Sequence, residues 1–156
     1  MNDYNFRLLQ KSELQWFVEL RNSVSKNLHD TRVFTKEDAL IWFENNSGNY
    51  WVILFQSKKI GYFRLIKCDC GIYQIGADIS PEYQGKGFGY QSYLYFARNI
   101  LRQMNITWVS LRVKKENKIA IKLYTKLGFK PVNVVNQGDA DIVMISSVDN
   151  ILSLPS

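Results

Sequence analysis

Apolar and polar positions alternate with a period of two in some runs and near 3.6 in others, and the switches lay out the chain. Tyr4, Phe6 and Leu8 alternate with Asn5 and Arg7, which predicts a first strand. Ser12 and Gln15 have capping-box spacing, with Leu14, Phe17 and Val18 as the inward stripe of the helix they start and Arg21 in line with them. Residues 22–34 are irregular and polar. Thr35 and Asp38 form a second capping box ahead of Leu40, Ile41 and Phe43, with Trp42 between. Asn45 to Asn49, with Gly48, break that helix. Tyr50 to Gln56 and Ile60 to Lys67 read as two strands joined by Ser57-Lys58-Lys59, and Asp69 to Gly71 make the next turn.

Ile75, Ala77 and Ile79 alternate with Gln74, Gly76 and Asp78, a strand that Pro81 stops because proline has no N–H for the ladder. Tyr90, Tyr93, Leu94, Ala97, Leu101 and Met104 then repeat at helical spacing. Between strand and helix lies Ser80-Pro81-Glu82-Tyr83-Gln84-Gly85-Lys86-Gly87-Phe88-Gly89. The first N–H groups of a helix lack partners and carry partial positive charge, and glycines let the backbone approach a ligand. Together they describe a phosphate cradle. A dinucleotide fingerprint needs a third glycine where Tyr90 or Ser92 stands, and a P-loop needs one at Ser80 and a hydroxyl at Gly87, so both are excluded.

Thr107 to Val113 alternate as a fifth sheet strand. Asn117 is an N-cap for a short helix from about Lys118 to Leu127, with Ala120, Leu123, Tyr124 and Leu127 on its apolar face and Gly128 as its stop. Phe129 to Val135 and Asp141 to Val148 close the chain as a strand pair around Asn136-Gln137-Gly138, and the tail, about 149–156, is expected to be frayed or loosely packed. The expected order is β-αα-βββ-α-β-α-ββ. It is an α/β protein with a mixed sheet and helices on both faces, in one domain over residues 1–156.

Composition narrows the function. Hydrophobic content of 46% and charged content of 22% are ordinary for a soluble domain. The longest apolar run, Trp51 to Phe55, is too short to span a bilayer, and the N-terminus shows no secretory pattern, so the expected location is the cytoplasm. The net charge of +6 comes without a dense basic run, and no nucleic-acid or membrane partner is expected. Lys86, Lys114, Lys115 and Lys118 cluster in sequence near the glycine loop and the Asn117 helix, where they would favour a polyanion. Cys68, Cys70 and the single histidine, His29, cannot close a zinc site, and no metal is expected. A disulfide across one intervening residue would be strained, so both thiols are read as reduced.

What remains of the loop, Gln84-x-x-Gly87-x-Gly89, resembles the pyrophosphate motif of the GCN5-related N-acetyltransferase family. Asn117-x-x-Ala120-x-x-x-Tyr124-x-x-x-Gly128-Phe129 is similar to a second pattern of that family, and the likeness extends over roughly residues 4–148. The resemblance implies a sheet splayed between its fourth and fifth strands. It also implies acetyl-CoA as cosubstrate, with Ala77, Ile79, Gln84, Gly85, Lys86, Gly87, Phe88, Gly89 and Asn117 as cofactor-binding positions. The implied reaction moves an acetyl group directly to a primary amine. The amine must lose a proton before it attacks, so a base is needed. A backbone N–H near Ile79 would face the oxyanion, and Tyr124 would protonate the departing thiolate as general acid.

The base is where this chain departs from the pattern. A glutamate common on the fourth strand is Gln74 here, and one found five residues before the motif asparagine is Arg112. Asp78 and His29 are the candidates that remain, with Asp30 and Arg32 as candidate acceptor contacts. Leu20-Arg21-Asn22, Phe34 to Asp38 and Trp42-Phe43 resemble members that acetylate an amino group on a nucleotide-linked sugar. A peptide N-terminus or lysine is the alternative acceptor, and a catalytically silent acyl-CoA-binding module is the rival of another class.

Overall fold

The structure, a computed structural model, describes residues 3–24, 33–132 and 141–156. Its strands are β1 (Tyr4–Leu8), β2 (Tyr50–Phe55), β3 (Lys58–Lys67), β4 (Tyr73–Ile79), β5 (Trp108–Lys114), β6 (Lys130–Val132) and β7 (Asp141–Ser147). Its helices are α1 (Leu14–Ser23), α2 (Lys36–Asn46), α3 (Phe88–Phe96), α4 (Lys118–Lys126) and α5 (Val148–Leu152). The seven strands hydrogen-bond in the order β1-β2-β3-β4-β5-β7-β6. This is the mixed α/β sheet the periodicities predict. The chain packs as two compact units, Met1–Leu65 with Ala77–Phe88 and Ile66–Gly76 with Gly89–Ser156.

In the first unit β1, β2 and β3 form an antiparallel meander. The β2–β3 hairpin turns on two residues, Gln56 and Ser57, both at positive φ, rather than on the three expected. A two-residue turn of that hand matches strand twist, so Lys58 and Lys59 join the ladder. The register slips between Ile53 and Leu54, so Ile60 bulges and Gly61 follows it. Val52 and Tyr62 are buried under α1 and α2, while Ile53 and Phe63 on the opposite face are also fully buried, so both faces are covered. Phe17, Trp42, Tyr50 and Tyr62 make one aromatic cluster, with Trp42 stacked on Phe17 at 4.9 Å between centroids. Ile41, expected inside, is 70% exposed, because α2 turns Ala39 and Trp42 inward instead.

The start of α1 also differs from its expected form. A 3-10 turn, Lys11–Glu13, precedes it, and the capping partners are Gln10 and Glu13 rather than Ser12 and Gln15. Glu13 is buried, takes two bonds from Arg7 at 2.6 and 2.8 Å, one from the Gln10 N–H at 3.0 Å, and lies 3.5 Å from Lys59. Burial by itself raises the Glu13 pKa, but the Arg7 bonds, the Gln10 N–H and the two cations outweigh it and hold the carboxyl below its ordinary value. A depressed carboxyl contributes stability in full above its unfolded pKa, about 4.3, and loses it as pH falls through the folded value. Glu13→Gln should therefore flatten the acid limb of melting temperature against pH. At neutral pH it should cost about 1–2 kcal/mol, at the low end for charged hydrogen bonds because Arg7 is partly exposed. An acid limb unchanged in Glu13→Gln would place the titration elsewhere.

In the second unit β4 runs parallel to β5, with registered pairing at Tyr73–Val109 and Gln74–Ser110. β7 lies antiparallel between β5 and β6. Val109, Leu111 and Val113 point inward from β5, as their alternation predicts. α3 runs on through a π-helical turn, Ala97–Leu101, which leaves Met104 44% exposed instead of inside. The C-terminal residues do not fray. Ser147 caps α5, Val148 and Ile151 are buried, and the Pro155 carbonyl accepts from Tyr90 at 3.0 Å. The expected turn at Asn136-Gln137-Gly138 lies outside the described residues.

Candidate active site

The glycine loop is built by short-range bonds within the first unit. Ser80 is buried and its N–H donates to the Ile60 carbonyl at 2.8 Å, which ends β4 against β3. Pro81–Tyr83 make a 3-10 turn. The Gln84 side-chain amide reaches back to the Ile79 carbonyl at 2.8 Å, and Lys86 Nζ donates to the Glu82 carbonyl at 2.9 Å. Phe88 is fixed edge-on between Tyr83 and Phe55. Gln84 and Phe88 therefore hold the loop's shape with their side chains. Gly85 and Gly87 sit at φ of +73° and +87°, and a Cβ on either would meet nothing within 4 Å. Their requirement is conformational, and the space beside them is open. Left-handed glycine backbone with open space beside it lets a ligand approach the loop closely.

Asp78, immediately before Ile79, lies beside the aromatic cluster. Its Oδ2 accepts from the Tyr62 hydroxyl at 2.5 Å, and Tyr62 is buried with its ring 4.8 Å from Phe17. Asp78 thus faces α1 and α2, a direction its alternation alone leaves open. Burial pushes the Asp78 carboxyl above its ordinary pKa, and the Tyr62 hydrogen bond, Arg64 and Arg21 offset this in part. Burial, then Asp78, push the Tyr62 hydroxyl well up, so it remains a donor at neutral pH. Burial also raises Tyr50, with Arg64 acting against it. Arg21 is buried with its guanidinium 3.8 Å above the Phe34 ring, and Asn22 clamps the Phe34 backbone through both its amide atoms at 3.0 Å.

In the second unit Asn117 Oδ1 accepts from the Ala120 N–H at 3.2 Å, so its capping role is met. α4 ends as a Schellman motif. Gly128 sits at φ +92°, its N–H reaches the Thr125 carbonyl, and the Phe129 N–H reaches the Tyr124 carbonyl. The Tyr124 ring meets Tyr93 and Phe129 edge-on at 5.9 and 6.0 Å, with the residue half-buried. Gly89 is small for a local reason: a Cβ there would lie 3.2 Å from a Leu123 methyl. Arg112, which replaces a carboxylate of the family pattern, pairs with Asp141 at 3.2 Å.

A family model described as an acetyltransferase (GNAT) domain matches residues 1–130. The chain belongs to the GNAT acetyltransferase family. The family uses acetyl-CoA as cosubstrate. Among curated relatives, the chain is 31% identical over 117 residues to a spermidine N(1)-acetyltransferase of Escherichia coli, covering 72% of this chain and 54% of that one. Across the curated relatives it matches, the chain spans between 17% and 63% of their length. Among solved structures, spermidine N-acetyltransferase of Vibrio cholerae with CoA and spermine is similar at a TM-score of 0.81 and 20% identity, over 97% of this chain and 99% of that one. Salmonella typhimurium yncA with its cofactor acetyl-CoA is similar at 0.73 and 18%, over 95% of each chain.

The structure keeps Ala77, Asp78, Ile79 and the Gln84–Phe88 stretch within one unit, and Gly89, Asn117 and Tyr124 within the other. His29, Asp30 and Arg32 lie outside the described residues. Tyr62 is the functional candidate that sequence reasoning missed. Its only sequence signal is a hydroxyl two residues before Arg64, on the same face of β3. Among the described residues no group of three or more His, Cys, Asp or Glu is placed to hold a metal, and no helix is long and apolar enough to cross a membrane.

Proposed function

We propose that this chain is an acetyl-CoA-dependent N-acetyltransferase acting on the primary amine of a small molecule. The observation that carries the reading is the loop at Gly85 and Gly87, with two residues in left-handed backbone and open space beside each. The backbone of Gly85 to Gly89 binds the pyrophosphate, the Ala77–Ile79 backbone and Asn117 hold the pantetheine arm, and Tyr124 gives a proton to the departing thiolate. When bound, acetyl-CoA supplies the activated acyl group, and the residues of the chain orient it and move the protons.

For the acceptor, the relatives with spermidine in their names support an aliphatic amine as first probe. The residues that suggested a nucleotide-linked amino sugar have structural work of their own. Arg21 and Asn22 hold Phe34, Thr35 and Asp38 cap α2, and Trp42 stacks on Phe17. That acceptor therefore enters the test as a second arm, with peptides as the third.

Acetyl-CoA at about 100 times its dissociation constant should stabilise the fold by roughly 2.7 kcal/mol, a rise in melting temperature of about 5–11 °C for a chain of this size. Adenosine alone should do less. Gly87→Val should keep the parent's fold and lose most of that rise, because a β-branched residue resists φ of +87° and its side chain enters the cradle. A rise as large in Gly87→Val as in the parent would take the phosphate away from this loop. Thiol release with an amine panel then separates transferase from silent binder.

A further inference from the structure

We propose that Asp78 accepts the proton of the attacking amine and that the Tyr62 hydroxyl is the positioning group that holds its carboxylate. The assignment rests on the transferase reading above.

The two carboxylate positions of the family pattern are Gln74 and Arg112, so neither supplies a base, and Arg112 is engaged with Asp141. Asp78 lies one residue before Ile79, in the stretch assigned to the pantetheine arm. Its two oxygens have different surroundings. Oδ2 is fixed by Tyr62, while Oδ1 carries no hydrogen bond among the described residues. Asp78 is half-buried as a residue with its carboxyl largely desolvated, and the Tyr62 that holds it is buried. Such an arrangement is what a proton acceptor requires: one oxygen sets orientation and the other takes the proton.

The charges around it set its basicity. Tyr62 and Arg64 face Asp78 from β3, Tyr50 from β2 and Arg21 from α1. Burial raises the carboxyl and the two arginines restrain the rise, which leaves a carboxylate more basic than one in water. In the step itself an ammonium N–H bond breaks and the proton passes to Asp78 Oδ1. The freed nitrogen lone pair forms the C–N bond to the thioester carbonyl carbon. The C–S bond then breaks as Tyr124 protonates the thiolate, the nitrogen gives its second proton to the Tyr124 phenolate to leave the neutral amide, and Asp78 returns its own proton to solvent. The net reaction is amine plus thioester to amide plus thiol, with no redox partner.

The test compares parent, Asp78→Asn and Tyr62→Phe by thiol release across pH with the best amine of the panel, and acetyl-CoA affinity by calorimetry. Asp78→Asn should lower kcat by roughly 10²-fold or more with acetyl-CoA affinity within about twofold of the parent. Tyr62→Phe removes a bond that stabilises the anion, so the Asp78 pKa should rise and the acid limb of kcat should move to higher pH. A Tyr62 that merely packs would lower kcat or the melting temperature and leave that limb in place. Equal transfer by the parent and Asp78→Asn overturns the base, and an unmoved limb in Tyr62→Phe overturns its positioning part. A parent that binds acetyl-CoA but acetylates no amine sinks the transferase reading, and this assignment with it.

Discussion

Tyr124→Phe should lower kcat by roughly 10²-fold, the low end for a positioned general acid, with acetyl-CoA affinity and melting temperature close to the parent's. The ring makes the packing contacts: it meets Tyr93 and Phe129 edge-on, and the Phe129 contact belongs to the motif that closes α4. Phenylalanine keeps all of that and deletes only the hydroxyl. A thiolate leaving group has a conjugate-acid pKa near 8.5, so a phenolic proton assists it where a ring C–H cannot. The assistance exists only as the C–S bond breaks, so the loss belongs in kcat rather than in binding. Tyr124→Ala removes the ring as well and should also destabilise. The cost stays below the roughly 3–5 kcal/mol of a fully buried aromatic, because Tyr124 is only half-buried. A parent-like kcat in Tyr124→Phe, with chemistry rate-limiting, would leave Tyr124 a packing residue.

What the sequence makes legible here is local chemistry. Thr35 with Asp38, Asn117 and Gly128 announce helix ends because a cap is satisfied within three or four residues, and each takes its expected role. The loop from Gln84 to Gly89 is legible because only glycine adopts φ near +80° without strain. Residues decided by tertiary choice are not. α2 carries apolar residues on two sides, and the stack of Trp42 on Phe17 selects which side turns in, leaving Ile41 exposed. The tail has no strong period, yet Ser147, Val148 and Ile151 make it a packed helix.

The proposed base, Asp78, shows the same limit. β4 is half-buried along nearly its whole length, so alternation does not say which face carries chemistry. The face is shown by Tyr62, sixteen residues away, whose hydroxyl bonds the Asp78 carboxylate. Gln84 makes the complementary point. Its place in the motif suggests contact with the cofactor, whereas its side chain closes the loop onto Ile79.

Gly61→Ala should be among the most damaging single-methyl changes in the first unit. Gly61 follows the bulge, and its Cα faces β4 so closely that a Cβ would overlap the Asp78 carbonyl oxygen and crowd the Ile79 Cα. Both obstacles are backbone, so no rotamer change relieves them. The strands must separate, against the Ser80 N–H bond to Ile60 on the neighbouring residues. Overpacking of this kind costs about 1–3 kcal/mol, and a backbone clash belongs at the upper end. For a chain of this length that is a fall in melting temperature of roughly 6–12 °C. The consequence for chemistry is specific. The displaced carbonyl belongs to Asp78, so the Tyr62–Asp78 bond should lengthen, and kcat should fall further than acetyl-CoA affinity does. Loss of stability with an unchanged kcat, measured well below the melting temperature, would show that the carboxylate does not depend on this contact. A parent-like melting temperature would show that β3 and β4 do not approach so closely at Gly61.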